Sequence, residues 1–132
     1  MDPKIRILII DDEQDFAESI AFWLTSKGYD VTRAERGATA VELVMEGRHD
    51  ILFLDINMPQ MSGIETLRRI RAFNKTLPVI VVTAAYDNET NFADVNALGV
   101  SGFFPKEGSM SQLMQVLEVA LRSHRTLKPP TR

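Results

Sequence analysis

Short runs of apolar residues alternate along this chain with longer stretches in which apolar residues recur at helical spacing. The apolar runs predict five strands, at residues 5–10, 30–34, 51–54, 79–83 and 102–104. The run at 51–54 is wholly apolar and ends on Asp55, which is typical of a strand buried on both faces of a parallel sheet. The run at 30–34 is polar enough for an edge strand.

A helix is predicted after each strand. The first two are expected at residues 14–27 and 39–46, and the other three begin after the capping residues Ser62, Asp87 and Ser109. Ser62 and Ser109 are each followed three residues later by Glu or Gln, which predicts two capping boxes. Glycines are expected to end three helices, at Gly28, Gly47 and Gly99.

Strand–helix alternation at this spacing predicts an α/β fold, because each helix must cross over to the next parallel strand. Right-handed crossovers then favour a doubly wound five-stranded parallel sheet of order 2-1-3-4-5, a flavodoxin-like three-layer sandwich. In such sheets ligands bind beyond the carboxyl ends of the strands, here between the first and third strands.

Composition limits the class of protein. The chain has 132 residues, a net charge of −3 and no cysteine, which fits one domain without disulfides or thiolate metal sites. Nothing favours nucleic-acid binding, a membrane span or a signal peptide, so a cytoplasmic location is expected. We expect a domain over residues 1–122, with 123–132 as a basic tail or the start of a linker.

Acidic residues follow the first and third predicted strands, which are neighbours in the expected sheet. Asp11 and Asp12 should therefore meet Asp55 at one rim, with Thr83 and Lys106 at the ends of the fourth and fifth strands. Crowded carboxylates repel unless a cation neutralises them. Oxygen ligands without Cys or His suit Mg²⁺, with Mn²⁺ as the alternative ion.

Together these residues resemble the receiver domains of bacterial two-component response regulators. The resemblance rests on the Asp11-Asp12 pair, on Asp55 in the stretch Asp-Ile-Asn-Met-Pro, on Thr83-Ala84 and on Lys106, each at the end of its own strand. It covers the chain to about residue 122. Each residue alone has a simpler explanation, since an acid pair can cap a helix and a lysine can be merely solvated, but all of these explanations would have to hold at once.

The resemblance implies roles for the acids. Asp55 would accept a phosphoryl group from a phosphohistidine of a sensor histidine kinase or phosphotransfer protein. Asp12 and Asp55 would hold Mg²⁺ directly, with the main-chain carbonyl of Asn57, and Asp11 would act largely through water. The domain would phosphorylate and dephosphorylate itself and would not turn over external substrates.

The resemblance also implies a switch. Thr83 would donate to a phosphoryl oxygen and Lys106 would pair with it. Phe103 stands at the position of the family's switch aromatic, three residues before the lysine, and lacks a phenolic hydroxyl. Its inward rotation would alter the face formed by the fourth helix, fifth strand and fifth helix. A homodimer formed through this face is one expected partner.

One departure concerns the loop that carries Lys106. The family often has proline after this lysine, joined by a cis peptide, whereas here Pro105 precedes it and Glu107 follows it. Because a non-proline cis bond costs about 2.5–4 kcal/mol, we expect a trans bond between Lys106 and Glu107. This departure bears on where the loop places Lys106 in the predicted site.

Three other functions compete with this interpretation. Haloacid-dehalogenase-type phosphatases use similar residues, but they need a second Asp where this chain has Asn57, which cannot act as the acid. A flavin mononucleotide module would need a phosphate loop where Asp11, Asp12 and Glu13 would repel phosphate. A degenerate receiver serving only as a docking module is the third; the intact residue set argues against it. His49 and His124 are expected away from the rim, without catalysis.

Overall fold

The structure, a computed structural model, describes residues 4–58, 61–84 and 92–122. The described residues form five strands: β1 (Arg6–Ile10), β2 (Asp30–Ala34), β3 (Ile51–Asp55), β4 (Val79–Thr83) and β5 (Gly102–Pro105). Within the same ranges, five helices alternate with the strands: α1 (Gln14–Ser26), α2 (Gly37–Met45), α3 (Gly63–Phe73), α4 (Phe92–Ala97) and α5 (Met110–Arg122).

All four strand pairs are parallel, and the strands lie in the order β2-β1-β3-β4-β5. The predicted topology is therefore confirmed, with β2 at one edge and the neighbouring β1 and β3 at the switch point. The register pairs Ile10 with Leu54, Asp55 with Val82, and Thr83 with Pro105. The carboxyl ends of β1, β3, β4 and β5 thus lie at one rim.

Two apolar layers bury the sheet, because alternate side chains of a strand point to opposite faces. In β1, Ile7 and Ile9 pack towards α1 and α5, whereas Leu8 and Ile10 pack towards α2 and α3. Every residue of β3 is buried, which confirms the prediction from its unbroken apolar run. The core therefore fixes β3, and with it Asp55, at the centre of the sheet.

The helix ends follow the predicted caps closely. The Ser62 hydroxyl accepts a hydrogen bond from the Glu65 backbone N–H, and Ser109 and Gln112 exchange the two bonds of a capping box. The three expected glycines have positive φ: Gly28, Gly47 and Gly99.

One helix begins earlier than predicted, and the predicted cap of another lies outside the described residues. The second helix begins at Gly37 and not at residue 39, because an extended Arg36 already serves as its N-cap without a side-chain bond. The predicted cap Asp87 lies outside the described residues, as does the tail from residue 123.

Gly63 allows α3 to begin directly against the end of β3. A Cβ atom at this position would lie 2.3 Å from the carbonyl oxygen of Asp55 and 2.5 Å from the Cα atom of Ile56. Real side chains do not approach backbone this closely, so only glycine fits here without a shift of the chain. The close approach helps to fix the loop that follows Asp55.

Arg71 joins the end of α3 to the end of α4 from a buried position. Its guanidinium donates hydrogen bonds to the carbonyl oxygens of Leu98 (2.8 Å), Gly99 (2.7 Å), Leu77 (2.8 Å) and Asn74 (3.1 Å). These carbonyl oxygens lie at the end of α4 or in the loop after α3, where helix ends leave carbonyls without an intrahelical donor. No sequence pattern predicts this role of Arg71, although Arg71 ties together the side of the sheet that carries α4.

Candidate functional site

Three carboxylates meet at the carboxyl-end rim. Asp11 and Asp12 follow β1, Asp55 ends β3, and one oxygen from each lies within 4.8 Å of the others. Asp11 is only 2% exposed and Asp55 only 3%, whereas Asp12 faces solvent. The structure therefore brings together the three acids that the sequence placed at this rim.

Backbone N–H groups orient the two buried acids. Asp11 Oδ1 accepts a hydrogen bond from the Glu13 N–H at 2.8 Å, and Asp55 Oδ1 accepts one from the Asn57 N–H at 3.0 Å. Each acid thus fixes the turn that follows its own strand. Asp11 Oδ2 is buried, and the Lys106 ammonium lies 3.1 Å from it.

Lys106 extends across the acids from the loop after β5. Its Nζ lies 3.1 Å from Asp11, 3.4 Å from Asp55 Oδ2 and 2.5 Å from Glu13 Oε1. Its side chain is only 13% exposed and lies over the Phe16 ring, 5.0 Å from Nζ to the ring centroid. No cis peptide occurs in the described residues, so the bond to Glu107 is trans as expected.

The backbone of Lys106 is held as firmly as its side chain. Its N–H donates to the carbonyl oxygen of Thr83 at 2.8 Å, which joins the ends of β4 and β5. The reversed order of proline and lysine therefore does not move Lys106 away from the rim.

The charges of this site perturb one another. Burial, and then the charge of Asp11, raise the pKa of Asp55 to about 7, although the Asn57 N–H and Lys106 act in the opposite direction. Burial also raises the pKa of Asp11. Burial lowers the pKa of Lys106, but the hydrogen bond to Glu13 and the charges of Asp55 and Asp11 outweigh burial, and the net change is upward.

The donor set fits a hard divalent cation. It consists of carboxylate oxygens with no sulfur or imidazole, the set that Mg²⁺ prefers. One ammonium is shared among Asp11, Asp55 and Glu13, so negative charge remains in excess. A cation would offset the charge of Asp11, which together with burial raises the pKa of Asp55.

The other predicted site residues surround this cluster. Thr83 is half-buried at the end of β4, and its hydroxyl donates to the Ala84 carbonyl oxygen at 3.3 Å. Asn57 is exposed in the loop after β3. Phe103 is half-buried on β5 and packs against the core between the sheet and α2, α3 and α4.

The histidines are separate from this cluster as far as the structure describes them. His49 lies at the opposite, amino-terminal edge of the sheet, in a pocket that it shares with Arg6 and Asp30. His124 lies outside the described residues.

Two contacts of Lys106 were not predicted from the sequence. Glu13 was considered only as a source of repulsion for phosphate, yet its carboxylate is the nearest acid to the Lys106 ammonium. Phe16 lies in the helix predicted at residues 14–27, and its ring also supports the lysine side chain. The position of Glu13, directly after the acid pair and at the N-cap of α1, was the available signal for such a contact.

Known proteins share both the sequence and the fold. The family model "Response regulator receiver domain" matches residues 7–118. Response regulator MprA of Mycobacterium ulcerans is 33% identical over 119 residues, which are 90% of this chain and 51% of the relative. The chain thus spans about half the length of the curated relatives it matches.

Solved structures agree with these matches. One is the N-terminal domain of a response regulator/sensory box/GGDEF three-domain protein from Carboxydothermus hydrogenoformans, at 30% identity and a TM-score of 0.83 over 92% of this chain and 97% of that one. Another is the chemotaxis protein CheY4 of Vibrio cholerae, at 26% identity and a TM-score of 0.82 over 90% and 100%. The chain belongs to the receiver domains of two-component response regulators.

Proposed function

We propose that Asp55 accepts a phosphoryl group from a phosphohistidine of a sensor histidine kinase or phosphotransfer protein. The observation that carries the proposal is the convergence of three carboxylates within 4.8 Å, with the Lys106 ammonium 3.4 Å from Asp55. Phosphoryl transfer needs charge neutralisation and positioning more than covalent chemistry, and this cluster supplies both.

In the transfer step, a carboxylate oxygen of Asp55 attacks phosphorus while the P–N bond of the phosphohistidine breaks. The electron pair of that bond leaves with the imidazole, and the product is an acyl phosphate on Asp55. The Asn57 N–H holds one carboxylate oxygen in place, which reduces the freedom that the attack would otherwise remove. Lys106 neutralises charge on the transferred oxygens.

Asp12, Asp55 and the main-chain carbonyl of Asn57 would hold Mg²⁺, with Asp11 acting through water. When bound, the ion neutralises charge on the phosphoryl oxygens. Asp11 and Asp55 are almost fully buried, so their repulsion is poorly screened by solvent in the absence of a cation. Mn²⁺ shares the preference for oxygen ligands and would serve in the same place.

The signal is read through the surface formed by α4, β5 and α5. A phosphoryl group adds about 1.5 to 2 negative charges and new acceptor oxygens beside Thr83. Thr83 turns its hydroxyl towards them, the space behind it opens and Phe103 turns inward, so the exposed face of β5 changes. Partners, including a second copy of this chain, would distinguish the two states of this surface.

A phosphoramidate-labelling experiment tests the proposal. Incubation with Mg²⁺ should give one acid-stable, base-labile phosphoryl group per chain, and Asp55→Asn should give none. Continuous hydrolysis of an external phosphate ester would instead favour an aspartate-nucleophile phosphatase. The exposed Asn57, where such a phosphatase carries its second Asp, argues against that class.

A further inference from the structure

We infer that Glu13 is a positioning residue that competes with the phosphoryl group for the Lys106 ammonium, and thereby weakens the hold of the site on that group. The inference rests on the proposed function. Glu13 lies outside the acid pair, and its negative charge opposes phosphoryl binding. Loss of that charge should therefore strengthen the binding.

The Lys106 ammonium lies at different distances from the acids around it. Of the three acids around Lys106 Nζ, Glu13 is the nearest at 2.5 Å and Asp55 is the farthest at 3.4 Å. The Glu13 side chain is 62% exposed, whereas that of Asp55 is 4% exposed. The nearest partner of the lysine is therefore an outer acid beside the site and not the acid that is to be modified.

Glu13 is free to act in this way because its side chain has no capping role. It occupies the N-cap position of α1, yet it makes no side-chain hydrogen bond to the first turn of that helix. Its backbone N–H donates to Asp11, and its side chain contacts Lys106. A change from Glu to Gln thus keeps the size of the side chain and the turn, and removes only the charge.

The path of the lysine is also restricted. Phe16 lies beneath the ammonium, so Nζ can shift along the row of acids but not towards the first turn of α1. Bringing Nζ closer to oxygens on Asp55 lengthens its contact with Glu13. An ion pair with one exposed partner typically contributes up to about 1 kcal/mol, which is a few-fold change in an equilibrium constant.

Binding of beryllium trifluoride, a phosphoryl mimic, tests this inference at saturating Mg²⁺ by ¹⁹F nuclear magnetic resonance. Glu13→Gln should bind the mimic about two- to fivefold more tightly than the wild-type chain. Glu35→Gln is the matched control, because Glu35 is an exposed acid of the same rim that accepts a hydrogen bond from Gln14 and not from Lys106. This control shows how much of the effect comes from net charge alone.

A double-mutant cycle separates positioning from a structural role. In a Lys106→Met background, Glu13→Gln should change the affinity no more than Glu35→Gln does, because the competition acts only through the lysine. Mg²⁺ affinity, measured separately, should change equally in the Glu13 and Glu35 variants.

The outcomes are distinct. Equal affinities of Glu13→Gln and Glu35→Gln, weaker binding by Glu13→Gln, or an unchanged effect without Lys106 would each overturn the inference. A wild-type chain that binds no mimic and takes up no phosphoryl group would instead overturn the proposed function itself.

Discussion

Replacing Asp55 with asparagine should stabilise the metal-free fold. The pKa of Asp55 is raised from 3.8 to about 7, first by burial and then by Asp11, so ionising this carboxyl costs the folded chain free energy. One pKa unit corresponds to about 1.4 kcal/mol, which sets an upper limit of about 4 kcal/mol. Asparagine also loses the attraction to Lys106, and we therefore expect a gain of about 1–3 kcal/mol at pH 8.

The sign of the effect depends on pH in a specific way. A carboxyl whose pKa is higher in the folded chain than in the unfolded chain destabilises the fold above its ordinary pKa. This penalty grows between about pH 4 and pH 7 and is constant at higher pH. The gain from Asp55→Asn should therefore be full at pH 8, and at pH 5 it should be less than half as large.

Urea unfolding with a metal chelator, at pH 8 and at pH 5, measures this gain. Asp15→Asn is the matched control, because Asp15 is an exposed acid in the first turn of α1 and its loss should change stability by at most about 0.5 kcal/mol. The reasoning is refuted if Asp55→Asn is no more stable than the wild-type chain at pH 8, or if its gain does not shrink at pH 5.

Three further predictions concern the supports of the site. Arg71→Met should cost about 3–5 kcal/mol in urea unfolding, because four carbonyls lose their donor. The control Arg69→Met, at an exposed residue, should cost less than about 1 kcal/mol. Equal losses would contradict a stabilising role for the buried Arg71 hydrogen bonds. Gly63→Ala should cost more than about 2 kcal/mol in the same assay, against about 1 kcal/mol for Gly47→Ala, whose added Cβ meets open space; the reverse order would refute the close approach to β3. Mg²⁺ at ten times its dissociation constant should stabilise the wild-type chain by about 1.4 kcal/mol in thermal unfolding. The same Mg²⁺ concentration should stabilise Asp12→Asn by less than half of that free energy. An equal stabilisation of the variant would place the ion elsewhere.

The fold could be predicted because its signals are local. The unbroken apolar run of β3, the capping serines and the glycines at helix ends each act within a few residues, and strand–helix alternation leaves few topologies. The convergence of Asp11 and Asp55 followed from the strand order alone. The start of α2 was misplaced because Arg36 is an N-cap residue without a capping side chain.

Side-chain contacts between distant elements could not be predicted in the same way. The bonds from Arg71 to Leu98 and Gly99 span 27 and 28 residues, and no periodicity or cap points to them. The contact between Glu13 and Lys106 spans 93 residues and depends on which acid of the rim the lysine reaches. Packing in the folded chain determines such contacts, and here Phe16 lies below the Lys106 ammonium.

Intact-mass spectrometry after incubation with phosphoramidate tests the central claim most directly. With Mg²⁺, the wild-type chain should gain the mass of one phosphoryl group, and peptide mapping should place that group on Asp55. Removal of the metal with a chelator, or Asp55→Asn, should leave the mass unchanged. A phosphoryl group on a different residue, or full labelling of the Asp55→Asn chain, would contradict the account.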